Sequence, residues 1–147
     1  NLPYGEQLRF KGTWMRLTRR AVRDYAFRGT GVETTLFMQD DLQYDGLTEL
    51  IVTETITERK TEMIRRGDAF IAFPGGTGTL EEIAEVMSKV SLKQLDAPCI
   101  LYNLNGYYNG LKTLLDHMIE TGLSTKERQE GIWFAENLEQ IKQILKA

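Results

Sequence analysis

The chain has 147 residues, 27% of them charged and 41% hydrophobic, with a net charge of −3, the size and balance of one globular domain. One cysteine, Cys99, and one histidine, His117, leave no parts for a disulfide, a Cys/His zinc site or a histidine-based triad. No apolar run is long enough to span a membrane and Asn1-Leu2-Pro3-Tyr4 does not read as a signal peptide, so a cytoplasmic protein is expected.

The first 31 residues hold Arg9, Lys11, Arg16, Arg19, Arg20, Arg23 and Arg28 against Glu6 and Asp24, so this segment carries +5 and the remainder −8. Trp14, Leu17, Ala21 and Tyr25 recur at near-helical spacing and predict a helix over 13–27. Its basic face reads as solvated or set against an acidic neighbour, and nucleic acid is not the expected partner. Strands are predicted at 32–38 and 48–53. Thr55 opens a helix, with Glu58 at capping-box spacing, and Gly67 closes it. Residues 69–73 are apolar throughout, as suits a strand buried on both faces. The next helix carries Leu80, Ile83, Ala84, Met87, Val90 and Ser91 on its expected inward stripe. A buried strand over 98–103 leads into the Asn105-Gly106 turn. Leu111, Leu114, Leu115, Met118 and Ile119 mark another helix, stopped at Gly122, and a strand at 132–134 precedes a helix over 138–145. Strands alternate with helices, which predicts an α/β domain on a parallel sheet.

Ala69-Phe70-Ile71-Ala72-Phe73 runs into Pro74-Gly75-Gly76-Thr77-Gly78-Thr79 and then into a helix opening on Leu80-Glu81-Glu82. A strand that feeds a glycine-rich turn into a helix N-terminus builds an anion site. Bare backbone N–H groups approach the ligand there, and the helix dipole favours negative charge. In a parallel sheet such a turn falls at the carboxyl end of a strand, where ligands bind. The pattern has no Gly-Lys-Ser/Thr of a P-loop and is not a Gly-x-Gly-x-x-Gly fingerprint. A nucleotide or another small phosphate ester is the ligand it implies. Glu82 admits two roles on spacing alone. With Thr79 it has capping-box spacing, and it also stands where a carboxylate could orient water or stabilise an oxocarbenium-like sugar.

On the preceding helix Lys60 falls between Ile56 and Ile64 on the apolar face, and Arg59 stands one turn from Ile56 and Met63. A basic pair on a buried stripe must find an anion or snorkel to water. The planar fork of arginine suits a phosphate or a carboxylate. His117, with Thr113, Asp116 and Glu120 around it on one helix side, reads as solvated. Tyr107 and Tyr108 read as packing or interface residues. Asp40, Asp41 and Asp45 lack the spacing of a calcium loop, and no metal site stands out.

Glu58-Arg59-Lys60 with Met63, followed by Pro74-Gly75-Gly76-Thr77-Gly78-Thr79-Leu80-Glu81-Glu82, resembles the LOG family of nucleoside 5′-monophosphate phosphoribohydrolases, often labelled lysine decarboxylases. The family pattern is an Arg-Lys pair on a helix and a Pro-Gly-Gly-x-Gly-Thr-x-x-Glu loop. Both are complete here, and the likeness runs from about residue 46 to the C-terminus. The resemblance implies one Rossmann-like, nucleotide-binding α/β domain over 1–147, a parallel sheet flanked by helices, working as a homodimer without a cofactor. It implies hydrolysis of the N-glycosidic bond of a cytokinin riboside monophosphate or AMP-like nucleotide, giving free base and ribose 5-phosphate. Arg59 and Glu82 are then the catalytic pair. Lys60, Gly75, Gly76, Thr77, Gly78, Thr79, Leu80 and Glu81 hold phosphate and ribose, and Asp41 and Ser88 are further substrate contacts.

Family members open with a strand and a Gly-Ser turn, then a second strand ending in Tyr-Gly-Gly-Gly. Here Tyr4-Gly5 and Gly12-Thr13-Trp14-Met15 resemble only the second, so an N-terminal βα unit that is missing or diverged is expected. The alternative to an enzyme is a nucleotide or phosphorylated-cofactor carrier on the same fold, because similar loops occur in molybdenum-cofactor carrier-like proteins. Nothing resembles a pyridoxal-phosphate lysine with its partners.

Overall fold

The computed structural model describes the backbone of residues 30–34 and 49–147, and side chains from Ile51 onward. The helix expected over 13–27, its basic face, the Tyr4-Gly5 and Gly12–Met15 segments, residues 35–38 and Asp41 lie outside the described residues. β1 (Thr30–Thr34) and β2 (Glu49–Thr53) pair in parallel, with Val32 opposite Ile51. α1 (Ile56–Arg66) packs against both strands. Its start is set by the expected capping box: the Glu58 N–H donates to Thr55 Oγ1 at 3.1 Å, and the Thr55 N–H donates to Glu58 Oε2 at 3.3 Å.

β3 (Phe70–Ala72), β4 (Cys99–Tyr102) and β5 (Ile132–Ala135) form a parallel sheet in that order, Phe70 opposite Cys99 and Cys99 opposite Ile132. α2 (Thr77–Ser91), α3 (Asn109–Glu120), the single-turn α4 (Lys126–Gln129) and α5 (Leu138–Lys146) complete the described chain. Side chains alternate across the sheet. Phe70, Ala72, Cys99 and Leu101 pack with Ile83, Val86, Met87 and Val90 of α2 and Leu115 of α3. Ile71, Ile100 and Ala135 face the other way, onto Ile141 of α5. Both faces are covered, which is why β3 and β4 are apolar without alternation. Helices on two sides of a parallel sheet make this an α/β, Rossmann-like fold.

The inward side of α2 differs from the apolar stripe expected. Thr79, Glu82, Ile83, Val86, Met87 and Val90 are its buried residues, while Leu80 is 46% exposed and Ala84 faces outward. Glu82 can occupy the buried line because the neighbouring α1 offers it a cation, and Thr79 does so with its side chain against Gly75. On α3, Leu114 is exposed and Leu115 takes the core position. No described helix is long and apolar enough to cross a membrane.

Candidate active site

Parallel pairing sets the carboxyl ends of β3 and β4 side by side, so the loops that leave them meet. The first loop, residues 73–76, leads into α2, whose N-cap is Gly76. The second, residues 103–108, leads from β4 into α3 and turns at Asn105 (φ +52°) and Gly106 (φ +74°), a conformation that suits glycine. Asn103 staples it: Oδ1 accepts from the Tyr108 N–H at 2.6 Å, and Nδ2 donates to Asn109 Oδ1 at 2.8 Å. This turn delivers two tyrosines onto the first loop. The Tyr108 hydroxyl donates to the Phe73 carbonyl at 2.6 Å, and the Tyr107 hydroxyl donates to the Gly75 carbonyl. Their rings meet edge to face with centroids 5.0 Å apart. A reading as packing residues misses this grip. The signal that could have found it is an Asn-Gly turn followed at once by two hydroxyl-bearing rings, in the loop that leaves the strand beside the one feeding the glycine loop.

A Cβ on Gly75 would overlap the Thr79 side chain, so only glycine lets the loop cross there. At Gly76 and Gly78 a Cβ would meet no described atom within 4 Å, so packing does not demand glycine at either. The missing side chains leave bare backbone at the start of α2, and no side chain caps that end. The helix begins inside the glycine motif, so its first turn holds no acid and Glu81 and Glu82 fall in the second. An anion at this helix end meets N–H dipoles before it meets carboxylates.

The Thr79–Glu82 capping box does not form, because Thr79 lies within the first turn and not at the N-cap. Glu82 instead reaches across to α1, where its Oε1 accepts from Arg59 Nη1, and each of the two side chains is 8% exposed. Glu82 Oε2 and Thr79 Oγ1, one turn apart, are buried with no hydrogen-bond partner among the described residues. Burial holds the Glu82 carboxyl above its ordinary pKa, against the pull of the Arg59 guanidinium. Lys60 Nζ donates to Glu81 Oε1 at 2.6 Å and lies 3.0 Å from Glu85 Oε2, and these bonds raise its pKa. Arg59 and Lys60 both find anions on α2 and neither escapes to water.

Ser88 is exposed on α2, about two turns beyond Glu81. His117 is exposed, its Nδ1 3.5 Å from Glu120. The Cys99 thiol, buried in the sheet, is pushed up to about 12, which rules out a thiolate nucleophile. Among the described residues, no group of three or more His, Cys, Asp or Glu is placed to hold a metal ion. The arrangement sets an uncapped, glycine-built helix end beside a buried carboxylate that has one oxygen fixed by arginine and the other without a partner among the described residues.

A family model described as "Possible lysine decarboxylase" matches residues 15–145. Three cytokinin riboside 5′-monophosphate phosphoribohydrolases of Arabidopsis thaliana are similar to the chain. LOG4 is 40% identical over 116 residues, 78% of this chain and 54% of its own length. LOG5 is 35% identical over 133 residues, 90% of this chain and 58% of its own length. LOG3 is 36% identical over 118 residues, 80% of this chain and 55% of its own length. The chain thus spans a little over half the length of these curated relatives.

Proposed function

Because the chain belongs to the LOG family, we propose that it hydrolyses the N-glycosidic bond of a nucleoside 5′-monophosphate to free base and ribose 5-phosphate. A cytokinin riboside monophosphate, the substrate in the relatives' names, or an AMP-like nucleotide is the ligand class. The observation that carries the reading is the buried Arg59–Glu82 pair, one turn on from an uncapped, glycine-built helix end.

The 5′-phosphate binds the backbone N–H groups of 76–79, with Gly75 and Leu80 flanking, and the ribose lies along the second turn beside Glu82. As the bond from C1′ to the base nitrogen breaks, its electron pair leaves with the base and positive charge builds on the sugar. The Glu82 carboxylate offsets that charge. Its Oε2 accepts a proton from the water whose oxygen attacks C1′, and that proton ends on the departing base. Arg59 favours the ionised form of Glu82 against burial, which favours the neutral acid, and it fixes Oε1 so that Oε2 does the work. Lys60 cancels Glu81 and Glu85, which would otherwise repel phosphate, and reaches the substrate by exchanging one of them. Asp41 and Ser88 are proposed further contacts. A single nucleotide-binding domain over 1–147, a homodimer and a cytoplasmic setting complete the reading.

The decarboxylase of the family model's description asks for a lysine that gives up its proton to form a Schiff base. Lys60 is held the opposite way, its pKa raised by Glu81 and Glu85. Incubation with AMP and other nucleoside monophosphates, scored for free base, tests the hydrolase. Release from AMP and not from adenosine is expected, because the helix end directs binding energy at the phosphate. Nucleotide binding with no base release would assign a carrier role instead. Light scattering that finds only single chains at micromolar concentration would remove the dimer.

A further inference from the structure

The peptide between Gly75 and Gly76 is trans, as are all the described peptides, so its C=O and N–H point to opposite sides. The Tyr107 hydroxyl takes the carbonyl. The N–H of the same peptide belongs to Gly76, the N-cap of α2, and is therefore turned away from the tyrosine. The Gly76 carbonyl is held by the Leu80 N–H at 3.1 Å, but Gly76 has no side chain to hold the peptide on its N-terminal side. On the far side, Gly75 already abuts the Thr79 side chain.

We infer that Tyr107 is a positioning residue for phosphate recognition, holding the Gly75–Gly76 peptide so that the Gly76 N–H is presented to the anion at the start of α2. The inference rests on the proposed function for the phosphate-bearing ligand. Tyr108 supplies an internal comparison. It takes the Phe73 carbonyl at 2.6 Å, but the next residue is Pro74, which has no N–H to aim. Buried and with its hydroxyl pushed up to about 12, Tyr108 stays a donor and supports the loop without presenting an amide to a ligand.

Ribose 5-phosphate is the probe, titrated into the wild-type chain, Tyr107→Phe and Tyr108→Phe by calorimetry and by amide-resolved NMR. Phenylalanine keeps the ring and its edge contact and removes one hydroxyl. In the wild type the Gly76 amide should shift on titration. Tyr107→Phe should bind about tenfold more weakly, the size of one hydrogen bond to a charged group, and lose that shift. On AMP its KM should rise while kcat changes within about twofold. Tyr108→Phe should bind within about twofold of wild type but melt at a lower temperature. A wild-type Gly76 amide that does not respond, a Tyr107→Phe that binds as the wild type does, or equal losses in both variants would overturn the assignment. Ribose 5-phosphate binding needs no turnover. A chain that meets these expectations for binding and releases no base from AMP would overturn the hydrolase reading alone.

Discussion

Arg59 Nη1 on α1 donates to Glu82 Oε1 on α2, so two residues 23 apart in sequence stand as one buried ion pair. The orientation of Glu82 is therefore set by a neighbouring helix and not by a cap on its own. Which oxygen is held and which is left over follows from that contact.

Glu82→Gln can still accept from Arg59 but carries no negative charge. Turnover on AMP should fall about a hundredfold or more, with nucleotide affinity little changed. Stability should drop by less than the roughly 3–5 kcal/mol of a fully broken buried pair, because the amide still accepts from Arg59 and burial already disfavours the charge that it lacks. Steady-state kinetics, binding calorimetry and thermal unfolding check the three parts. Near-wild-type base release would return Glu82 to a structural role.

With Glu82 as the proposed catalytic carboxylate, the acid limb of kcat/KM should report it taking up its proton. Burial raises its pKa and Arg59 pulls it down, with burial the larger effect, so the midpoint should lie above the ordinary glutamate value. Arg59→Lys removes the planar fork and leaves burial less opposed, so the midpoint should move to still higher pH. A pH–rate profile that moves downward in this variant would contradict the assignment.

Lys60→Met leaves Glu81 and Glu85 without their shared cation, beside the helix end proposed to receive the phosphate. The KM for AMP should rise about three- to tenfold, and adding Glu85→Gln should recover part of the loss. A double variant no better than Lys60→Met would mean that the contact of Lys60 with the substrate, and not its cancelling of these acids, accounts for the whole loss.

Glu62 accepts from Arg65 at 2.8 Å and from Arg66, and the first of these contributes most to holding its carboxyl down to about 2. A folded pKa below the unfolded one adds stability that is present above the ordinary value of 4.5 and lost as pH falls toward about 2. Glu62→Gln should flatten the fall in melting temperature across that window and leave base release at neutral pH unaltered. Equal slopes in the two proteins would remove the pair from the account.

Much of the fold was legible because its signals are local. Thr55 and Glu58 are three residues apart, and a capping box needs nothing beyond the helix it starts. The unbroken apolar runs that became β3 and β4 state that both faces are covered. The glycine turn implied a helix end of bare backbone for the same reason, and α2 does begin at Gly76 with no side-chain cap.

Elsewhere the sequence left choices open that only tertiary structure decided. That Glu82 reaches across to Arg59 and does not cap its own helix, that Lys60 is bonded and does not snorkel, and that Tyr107 and Tyr108 grip the glycine loop do not follow from spacing. Each is settled by a contact between segments 21 to 35 residues apart. The start of α2 inside the glycine motif belongs with them, because glycine permits many backbone conformations and prescribes none. Hydrophobic period and cap spacing encode what a segment does with its own backbone. Which acid meets which cation, and which carbonyl a hydroxyl takes, depends on neighbours brought together by the parallel sheet.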